Sequence, residues 1–273
     1  MTQQHDWHHL TRFALTLAEA AGKAILPHFR KNAAIDIKQH ETWDPVTEGD
    51  RAGERAIRQL IETHYPTHGI LGEEYGAKQG SSGLTWVLDP VDGTRAFVIG
   101  LPTWTTLIGL YEDGEPRLGV VAQPFIGDTF YGNPDGAWLD HRGHTEPIKV
   151  RATVPLSDAA LGTTTPHLYK GKDRDGFERL RRAVKVTRYG GDAYFFALLA
   201  AGHLDIAMDA GLQTYDIAAL IPIIRGAGGI VGSWENTDPT KGGHILTASS
   251  QALFEAAREK MQEGTVCSIA NCP

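Results

Sequence analysis

The chain has 273 residues, of which 41% are hydrophobic and 22% are charged, and this composition is typical of a globular protein with one large domain or two closely packed halves. Its apolar runs are short and the segment Met1–His9 is polar, so we expect a cytoplasmic protein with neither a signal peptide nor a transmembrane segment. The net charge of −7 disfavours a nucleic-acid partner, because a phosphate backbone requires a basic face, but it is compatible with a small anionic substrate held through a bound metal.

The first half of the chain predicts helices that flank a largely antiparallel sheet. Helices are expected over residues 7–30 and 50–64, where apolar residues recur at helical spacing. Turn sequences such as those at residues 112–114 and 133–136 separate apolar segments and therefore favour β-hairpins. The predicted strands lie near residues 35–38, 69–72, 85–88, 105–111, 117–123 and 128–131.

After about residue 150 the pattern changes to alternating strands and helices, which indicates α/β layering. We therefore predict an N-terminal α+β half, residues 1–149, and a C-terminal α/β half, residues 150–273. In the second half, strands are predicted near residues 160–164, 185–188, 204–208, 229–232 and 244–247. Helices are predicted over residues 174–184, 192–201, 215–227 and 250–262.

The segment Trp86–Thr94 is the most informative part of the sequence. Its apolar strand runs into Asp-Pro-Val-Asp-Gly-Thr, which brings two carboxylates and a hydroxyl into a small volume. Mg²⁺ prefers oxygen ligands at about 2.1 Å and keeps open positions for water or substrate, so such a segment suits a magnesium site. Taken alone, the segment is explained equally well as a capped turn in which Asp92 or Thr94 only accepts backbone N–H groups.

Other acidic residues also follow apolar runs or begin helices. Glu73 and Glu74 end the apolar run at residues 70–72, Asp50 begins the second predicted helix, and Asp216 lies in the first turn of a later one. An acid at a helix start is explained by itself as a cap that complements the macrodipole. The occurrence of all these acids together is better explained by a shared cation site.

Three spaced motifs together resemble the signatures of the inositol monophosphatase superfamily. They are Glu73 in Gly-Glu-Glu, the segment Asp89–Thr94, and the segment Tyr215–Gly229, which contains Tyr-Asp-Ile-Ala-Ala and Gly-Ala-Gly-Gly. The matching blocks follow the family order from about Lys38 to Gly229. The resemblance implies an α/β fold of the layered αβαβα sandwich type, with the metal site between the halves. It also implies a Mg²⁺-dependent phosphomonoesterase that is often lithium-sensitive and usually a homodimer.

The resemblance implies two or three Mg²⁺ ions and a set of oxygen ligands for them. The first ion would be held by Glu73, Asp89 and the backbone carbonyl of Val91, the second by Asp89, Asp92 and Asp216, and a weaker third, through water, by Asp50 and Glu73.

The catalytic groups implied by the same match are Glu73, Thr94 and Asp92. Glu73 and Thr94 would orient and deprotonate the attacking water, with Asp92 at the centre of the metal motif. The backbone N–H groups of Gly93 and Thr94 would point at the phosphate, as N–H groups at a helix start do with anions. Carboxylates gathered this closely would repel one another without cations, so metal removal is expected to loosen the site.

The histidinol-phosphate phosphatase branch of the superfamily is the most similar part, on the basis of Arg95, the run Gly100–Leu110 and the segment Tyr215–Pro222. The family's contacts to the alcohol match Asp192 and Asp209. Two acids suit a cationic leaving group such as histidinol, which carries an amine and an imidazole. An acid at Asp209 also suits a polyol, and Asp192 is equally explained as a helix cap.

The expected activity is therefore the hydrolysis of histidinol phosphate, a step of histidine biosynthesis. Arg95 would contact the substrate phosphate, although a solvated ion pair with a nearby acid explains it equally well. A phosphatase of broad specificity for inositol or polyol monophosphates is the alternative activity. A non-catalytic binding protein of the same fold is the alternative class, and the joint presence of all the implied metal ligands argues against it.

Cysteine and histidine contribute little to these predictions. Cys267 and Cys272 lie in a tail of small and polar residues, where thiols without a structural role are expected. The 12 histidines occur mostly in polar contexts, and we predict no catalytic histidine.

Overall fold

The computed structural model describes residues 5–31, 35–39 and 44–263, so Cys267 and Cys272 lie outside the described residues. In chain order, the elements of the first half are α1 (Trp7–Ile25), β1 (Ile35–Gln39), β2 (Asp44–Thr47), α2 (Glu48–His64), β3 (Gly69–Gly72), β4 (Gly76–Lys78), β5 (Leu84–Asp92), α3 (Thr94–Val98), β6 (Thr105–Glu112), β7 (Glu115–Gln123), β8 (Asp128–Asn133), β9 (Gly136–His141) and β10 (His144–Pro147). The second half continues with β11 (Ala160–Thr163), α4 (Lys172–Ala183), β12 (Val186–Tyr189), α5 (Asp192–Ala200), β13 (Ile206–Leu212), α6 (Thr214–Ala218), α7 (Leu220–Gly226), β14 (Ile230–Gly232), β15 (Gly243–Ala248) and α8 (Gln251–Gln262).

Two large sheets form the centre of the molecule. The first has eight strands in the order β10-β9-β8-β7-β6-β5-β3-β4, all antiparallel except for the parallel pair β3 and β5. The second has five strands in the order β12-β11-β13-β15-β14, of which β11 runs parallel to β12 and to β13. A separate ribbon pairs β1 with β2.

Three apolar clusters place the helices in layers around these sheets. Helices α1 and α2 pack on one face of the eight-stranded sheet. Helices α5, α6 and α7 fill the space between the two sheets, and α4 and α8 cover the outer face of the second sheet. This arrangement confirms the predicted αβαβα sandwich, whereas the division into halves at residue 150 stays a prediction. Among the described residues, no helix is long and apolar enough to cross a bilayer.

Several element bounds differ from the sequence-based prediction. The first helix ends at Ile25 rather than at residue 30, and a 3₁₀ turn containing Pro27 follows it, because proline lacks the N–H that continues an α-helix. The predicted helix over residues 215–227 is the pair α6 and α7, and Pro222 deprives the Ala218 carbonyl of its helical donor. The short elements β2, β4, α3, β9 and β10 were not predicted.

A row of glycines brings α6 and α7 into contact with the first sheet. Gly109, Gly119 and Gly132 are directly paired across three neighbouring strands. An ideal Cβ on Gly119 would lie 1.9 Å from the carbonyl oxygen of Ala219, so helix backbone and strand backbone touch there. The contact sets the depth at which α6 lies, and α6 carries Asp216.

Gly119→Ala is expected to lower the free energy of unfolding by about 3 kcal/mol, because the added methyl overpacks a backbone contact. Urea unfolding measures this loss. Arg117→Ala serves as the control on the same strand, since the Arg117 side chain is 51% exposed and its only expected loss is a surface ion pair. Equal stability of Gly119→Ala and the wild type would contradict the close contact.

A buried histidine lies under the first helical layer. The Nδ1 atom of His68 accepts a hydrogen bond from Nε1 of Trp86 at 3.0 Å, so His68 is neutral with its proton on Nε2. Its ring stacks on Tyr65 with centroids 4.5 Å apart. Burial, with a smaller repulsion from His5, lowers the pKa of His68 from 6.5 to about 4. Protonation would break the hydrogen bond from Trp86.

Stability is therefore expected to fall as the pH drops from about 6.5 towards 4, because the unfolded chain takes up a proton on His68 before the folded chain does. The loss attributable to His68 at pH 4.5 is about 1.5 kcal/mol after allowance for solvent screening. The variant His68→Asn keeps an acceptor for Trp86 but cannot titrate. The difference in unfolding free energy between wild type and variant should change across this window, and a constant difference would contradict the prediction.

Candidate active site

A cleft of about 590 Å³ opens between the two sheets and receives residues from both halves of the chain. The ends of β3 and β5, the starts of α3, α5 and α6, and the end of β13 form its walls. All of the sequence-predicted site residues except Asp50 line this cleft: Glu73, Asp89, Val91, Asp92, Gly93, Thr94, Arg95, Asp192, Asp209 and Asp216. Asp50 lies behind them, with its Oδ1 atom 3.5 Å from the hydroxyl of Thr94.

An irregularity in β5 brings Asp89 and Asp92 to the same cleft. Side chains alternate between the faces of a strand, so residues three apart would point to opposite faces of a regular strand. The pairing of β5 with β6 shifts register between Asp89 and Asp92. This irregularity changes the direction of the Asp92 side chain, so that it lines the same cleft as Asp89. Asp216 approaches from α6, and one carboxylate oxygen from each of the three acids lies within 4.8 Å of the others.

The buried acids of this cluster are costly without a cation. Asp89 is 2% exposed, and burial raises its pKa well above the usual value, with further contributions from the charges of Glu73, Asp92 and Asp216. Burial likewise raises the pKa of Asp92, together with the charges of Asp192 and Asp216. A side-chain contact with Glu73 adds to the rise in the pKa of Asp89. An all-oxygen donor set of this charge fits Mg²⁺.

Asp216 and Asp50 also accept backbone N–H groups at helix starts. The capping explanation and the metal-site explanation are therefore compatible for both residues. Asp216 accepts the backbone N–H of Gln213 at 2.7 Å at the start of α6. Asp50 accepts the backbone N–H of Thr47 at 2.8 Å in a capping box at the start of α2. Burial raises the pKa of Asp50 to about 6. Support of a third ion by Asp50 stays a prediction.

The turn after β5 holds Thr94 and Gly93 at the cleft. Gly93 adopts a left-handed backbone conformation with φ of 78° and precedes α3. The Thr94 hydroxyl donates to the carbonyl of Val91 at 3.0 Å, so that carbonyl keeps one lone pair for another partner. The first N–H groups of a helix have no partner inside it, which leaves those of this turn available to an anion.

The start of α5 is held by an acid from the other half of the chain. The backbone N–H of Ala193 donates to Oδ2 of Asp92 at 2.8 Å. Asp192 is the first residue of α5, and the backbone N–H that follows it is bound by Asp92, so the explanation of Asp192 as a helix cap stays a prediction. Its φ of 44° is unusual for a residue other than glycine, and its carboxylate lies against Gly93. Burial raises the pKa of Asp192, whereas the Thr164 hydroxyl and Arg95 oppose the shift.

Asp209 organises a segment that the sequence analysis did not identify as part of the site. The Asp209 carboxylate is 2% exposed and accepts hydrogen bonds from the Thr163 hydroxyl at 2.7 Å and from the Thr164 N–H and hydroxyl at 2.8 and 2.7 Å. Burial raises the pKa of Asp209 to about 7 despite these donors. Thr164 lines the cleft, and the only sequence signal for it was a run of hydroxyl residues at the end of a strand.

A second group of possible metal ligands lies away from the cleft and includes His244, Asp173 and Glu235. These residues already have partners. His244 contacts Glu235 at 2.9 Å, the Lys172 ammonium lies 3.4 Å from Glu235, and the indole of Trp234 donates to Asp173 at 3.1 Å. Those contacts account for the group, so we assign no metal to it.

Comparison with known proteins identifies the family. Residues 6–272 match the model of the inositol monophosphatase family. A bifunctional phosphatase IMPL2 of Arabidopsis thaliana is 41% identical over 230 residues, which cover 82% of this chain and 65% of that relative. A histidinol-phosphatase of Mycobacterium tuberculosis is 35% identical over 262 residues, or 92% of this chain and 97% of the relative.

Among solved structures, an inositol monophosphatase from Zymomonas mobilis superposes with a TM-score of 0.83 at 37% identity, covering 95% of this chain and all of that one. The match therefore extends from the sequence motifs to the arrangement of both sheets. The chain belongs to the inositol monophosphatase family of metal-dependent phosphatases.

Proposed function

We propose that the protein is a Mg²⁺-dependent phosphomonoesterase that hydrolyses histidinol phosphate to histidinol and phosphate. The observation that carries the proposal is the distribution of charge in the cleft. The cleft presents the cluster of Asp89, Asp92 and Asp216, and beside it two further acids, Asp192 and Asp209. The cluster suits cations that bind a phosphate, and the two further acids suit a cationic alcohol.

The metal ligands in this proposal are Glu73, Asp89, Val91, Asp92 and Asp216, with Asp50 more distant. When bound, Mg²⁺ would neutralise the phosphoryl oxygens, lower the pKa of the attacking water and stabilise the leaving alkoxide. Glu73 would accept the proton of that water, which Thr94 would orient through its hydroxyl. The contact of Thr94 with the Val91 carbonyl at 3.0 Å fixes the rotamer of that hydroxyl.

The substrate phosphate would lie at the turn formed by Gly93 and Thr94, which line the cleft together with Arg95. Among the cleft-lining residues in the part of the chain that the structure describes, Arg95 is the only cationic side chain. A substrate with a second phosphate would find little to neutralise it there. A monophosphate is therefore the better fit.

Two acids on the alcohol side support histidinol rather than a neutral polyol. Asp192 lines the cleft, and the Thr164 hydroxyl and the Arg95 side chain lie near its carboxylate. An ammonium or imidazolium group would add positive charge beside the two carboxylates, and hydrogen bonds between charged groups are about twice as strong as neutral ones. The relative from M. tuberculosis, named a histidinol-phosphatase, supports the same substrate.

The second candidate is an inositol or polyol monophosphatase of broad specificity. It is favoured by the inositol monophosphatase of Zymomonas mobilis, and by the capacity of Asp209 to accept neutral hydroxyl groups as it accepts those of Thr163 and Thr164. A comparison of kcat/KM on histidinol phosphate, inositol 1-phosphate, glycerol 2-phosphate and fructose 1,6-bisphosphate in Mg²⁺ separates the two. A preference for inositol 1-phosphate would overturn the histidinol assignment, and the lack of phosphate release from every ester would favour a non-catalytic protein.

Asp192→Asn is expected to raise KM for histidinol phosphate about tenfold, because a charge-assisted hydrogen bond becomes a neutral one. KM for glycerol 2-phosphate should change little, since that ester carries no cation. Asp175→Asn, on the exposed first turn of α4, serves as the control for a general loss of negative charge. Equal effects of Asp192→Asn on both esters would contradict a contact with the cationic alcohol.

A further inference from the structure

Glu54 is a completely buried acid outside the cleft. It lies in α2, and its relative exposure is 0%. Its Oε2 atom accepts the backbone N–H of Glu74 at 2.7 Å, and its Oε1 atom accepts the backbone N–H of Tyr75 at 3.2 Å. The Nε atom of Arg58 donates to Oε1 at 2.7 Å. The carboxylate therefore binds the two backbone N–H groups that directly follow Glu73.

The end of β3 is shaped to admit this carboxylate. An ideal Cβ on Gly72 would lie 1.9 Å from Oε1 of Glu54, so any larger residue at that position would displace the acid. On the other side, the backbone N–H of Glu73 donates to the Leu88 carbonyl at 3.1 Å, and Gly72 pairs with Leu88 in β5. Glu73 is thus held between β5 on one side and Glu54 on the other.

Arg58 completes the same contact. Its guanidinium also donates to the carbonyl of Gly76, and its side chain is 14% exposed. A buried carboxylate is strongly unfavourable unless it is paired and its remaining lone pairs accept hydrogen bonds. Here Arg58 supplies the charge and the backbone supplies the donors. Together the pair fixes residues 74–76 against α2.

The helix that carries Glu54 also carries Asp50, one turn earlier and on the same face. Asp50 lies 3.5 Å from the Thr94 hydroxyl, so α2 contacts both the turn after β5 and the turn after β3. If the turn after β3 moved relative to α2, the distance between the Glu73 and Asp89 carboxylates would therefore change.

We propose that Glu54 is a positioning residue: by fixing the backbone after Glu73, it holds the Glu73 carboxylate beside Asp89 for Mg²⁺ binding. This inference rests on the proposed function, since it assigns Glu73 to the metal. Glu54 itself touches neither metal nor substrate. If the role of Glu54 were purely structural, loss of its contacts would lower stability alone. If Glu54 positions Glu73, the same loss also lowers the affinity for Mg²⁺.

The test uses two variants that disturb the contact differently. Glu54→Gln keeps the shape but replaces one acceptor oxygen by an amide donor, which would face a peptide N–H or Arg58. Gly72→Ala keeps both side chains chemically intact, but its methyl would lie 1.9 Å from Oε1 of Glu54 and 2.9 Å from Nη2 of Arg58, so it pushes the pair away from the turn. The matched control is Asp205→Asn, because Asp205 is also 0% exposed, pairs with Arg151 and accepts a backbone N–H, that of Ala160 at 2.6 Å, away from the cleft.

Mg²⁺ affinity is measured by calorimetric titration of the metal-free full chain, alongside the Mg²⁺ concentration that gives half-maximal phosphate release from histidinol phosphate. We expect both variants to bind Mg²⁺ about tenfold more weakly than the wild type, with kcat largely recovered at saturating Mg²⁺. Asp205→Asn should lower the melting temperature without changing the Mg²⁺ affinity.

Mg²⁺ affinity within twofold of the wild type in both folded variants would overturn the proposal and leave Glu54 a structural role only. If Glu54→Gln fails to fold, Gly72→Ala alone decides between these results. The wild-type titration separates this inference from the proposed function. A wild type that binds Mg²⁺ but releases no phosphate would overturn the activity alone, and a wild type that binds no Mg²⁺ would overturn both.

Discussion

Asp92→Asn is expected to lower kcat/KM for phosphate monoesters by about 10³-fold or more, because it removes a negative charge from the centre of the carboxylate cluster. The fold should persist. Asparagine has nearly the same shape, and its side-chain oxygen can still accept the Ala193 N–H that Asp92 accepts at 2.8 Å. Activity is measured with Mg²⁺ in excess, and circular dichroism reports the fold. Near wild-type turnover in Asp92→Asn would contradict the proposed mechanism.

The same substitution is expected to make the metal-free protein more stable. Asp92 is half-buried beside Asp89, Asp192 and Asp216, and the repulsion between these acids is relieved when one of them becomes neutral. The melting temperature in chelator should rise by about 2–4 °C for each kcal/mol of repulsion removed. Asp205→Asn supplies the contrast, because it breaks a compensated ion pair and should lower the melting temperature. A lower metal-free melting temperature for Asp92→Asn would argue that its carboxylate stabilises the fold rather than strains it.

The parts of the site that the sequence predicted are those in which an acid follows an apolar run. Glu73 comes after β3 and Asp89 lies within β5, and these neighbouring parallel strands deliver their ends to the same edge of the sheet. Asp216 could be placed because it precedes an apolar run that predicted a helix, and it lies in the first turn of α6. Local patterns of this kind, matched in family order, were sufficient to predict the layered fold and the residues that line the cleft.

The contacts that the sequence did not predict join residues far apart in the chain. The N–H of Ala193 is bound by Asp92, 101 residues earlier, and Thr164 is bound by Asp209, 45 residues later. No local spacing signals such a pair. The start of α5 is an example, because the N–H of Ala193 is bound by Asp92 and not by the adjacent Asp192. Glu54 was overlooked because a Glu–Arg pair four residues apart normally indicates an exposed helix face.

Removal of the metal is expected to abolish phosphate release and to lower the melting temperature, and both losses should be reversed by Mg²⁺. Binding to the folded state alone stabilises it by about 2.7 kcal/mol per site when Mg²⁺ is at 100 times its dissociation constant. The cause is specific to this cleft, because the charges that raise the pKa values of Asp89 and Asp92 come from further acids, among them Asp216. Differential scanning fluorimetry across a Mg²⁺ series measures the shift, and Asp92→Asn should show a much smaller one. NaCl at matched ionic strength controls for screening of surface charge, so equal shifts with NaCl and Mg²⁺ would argue against a bound ion.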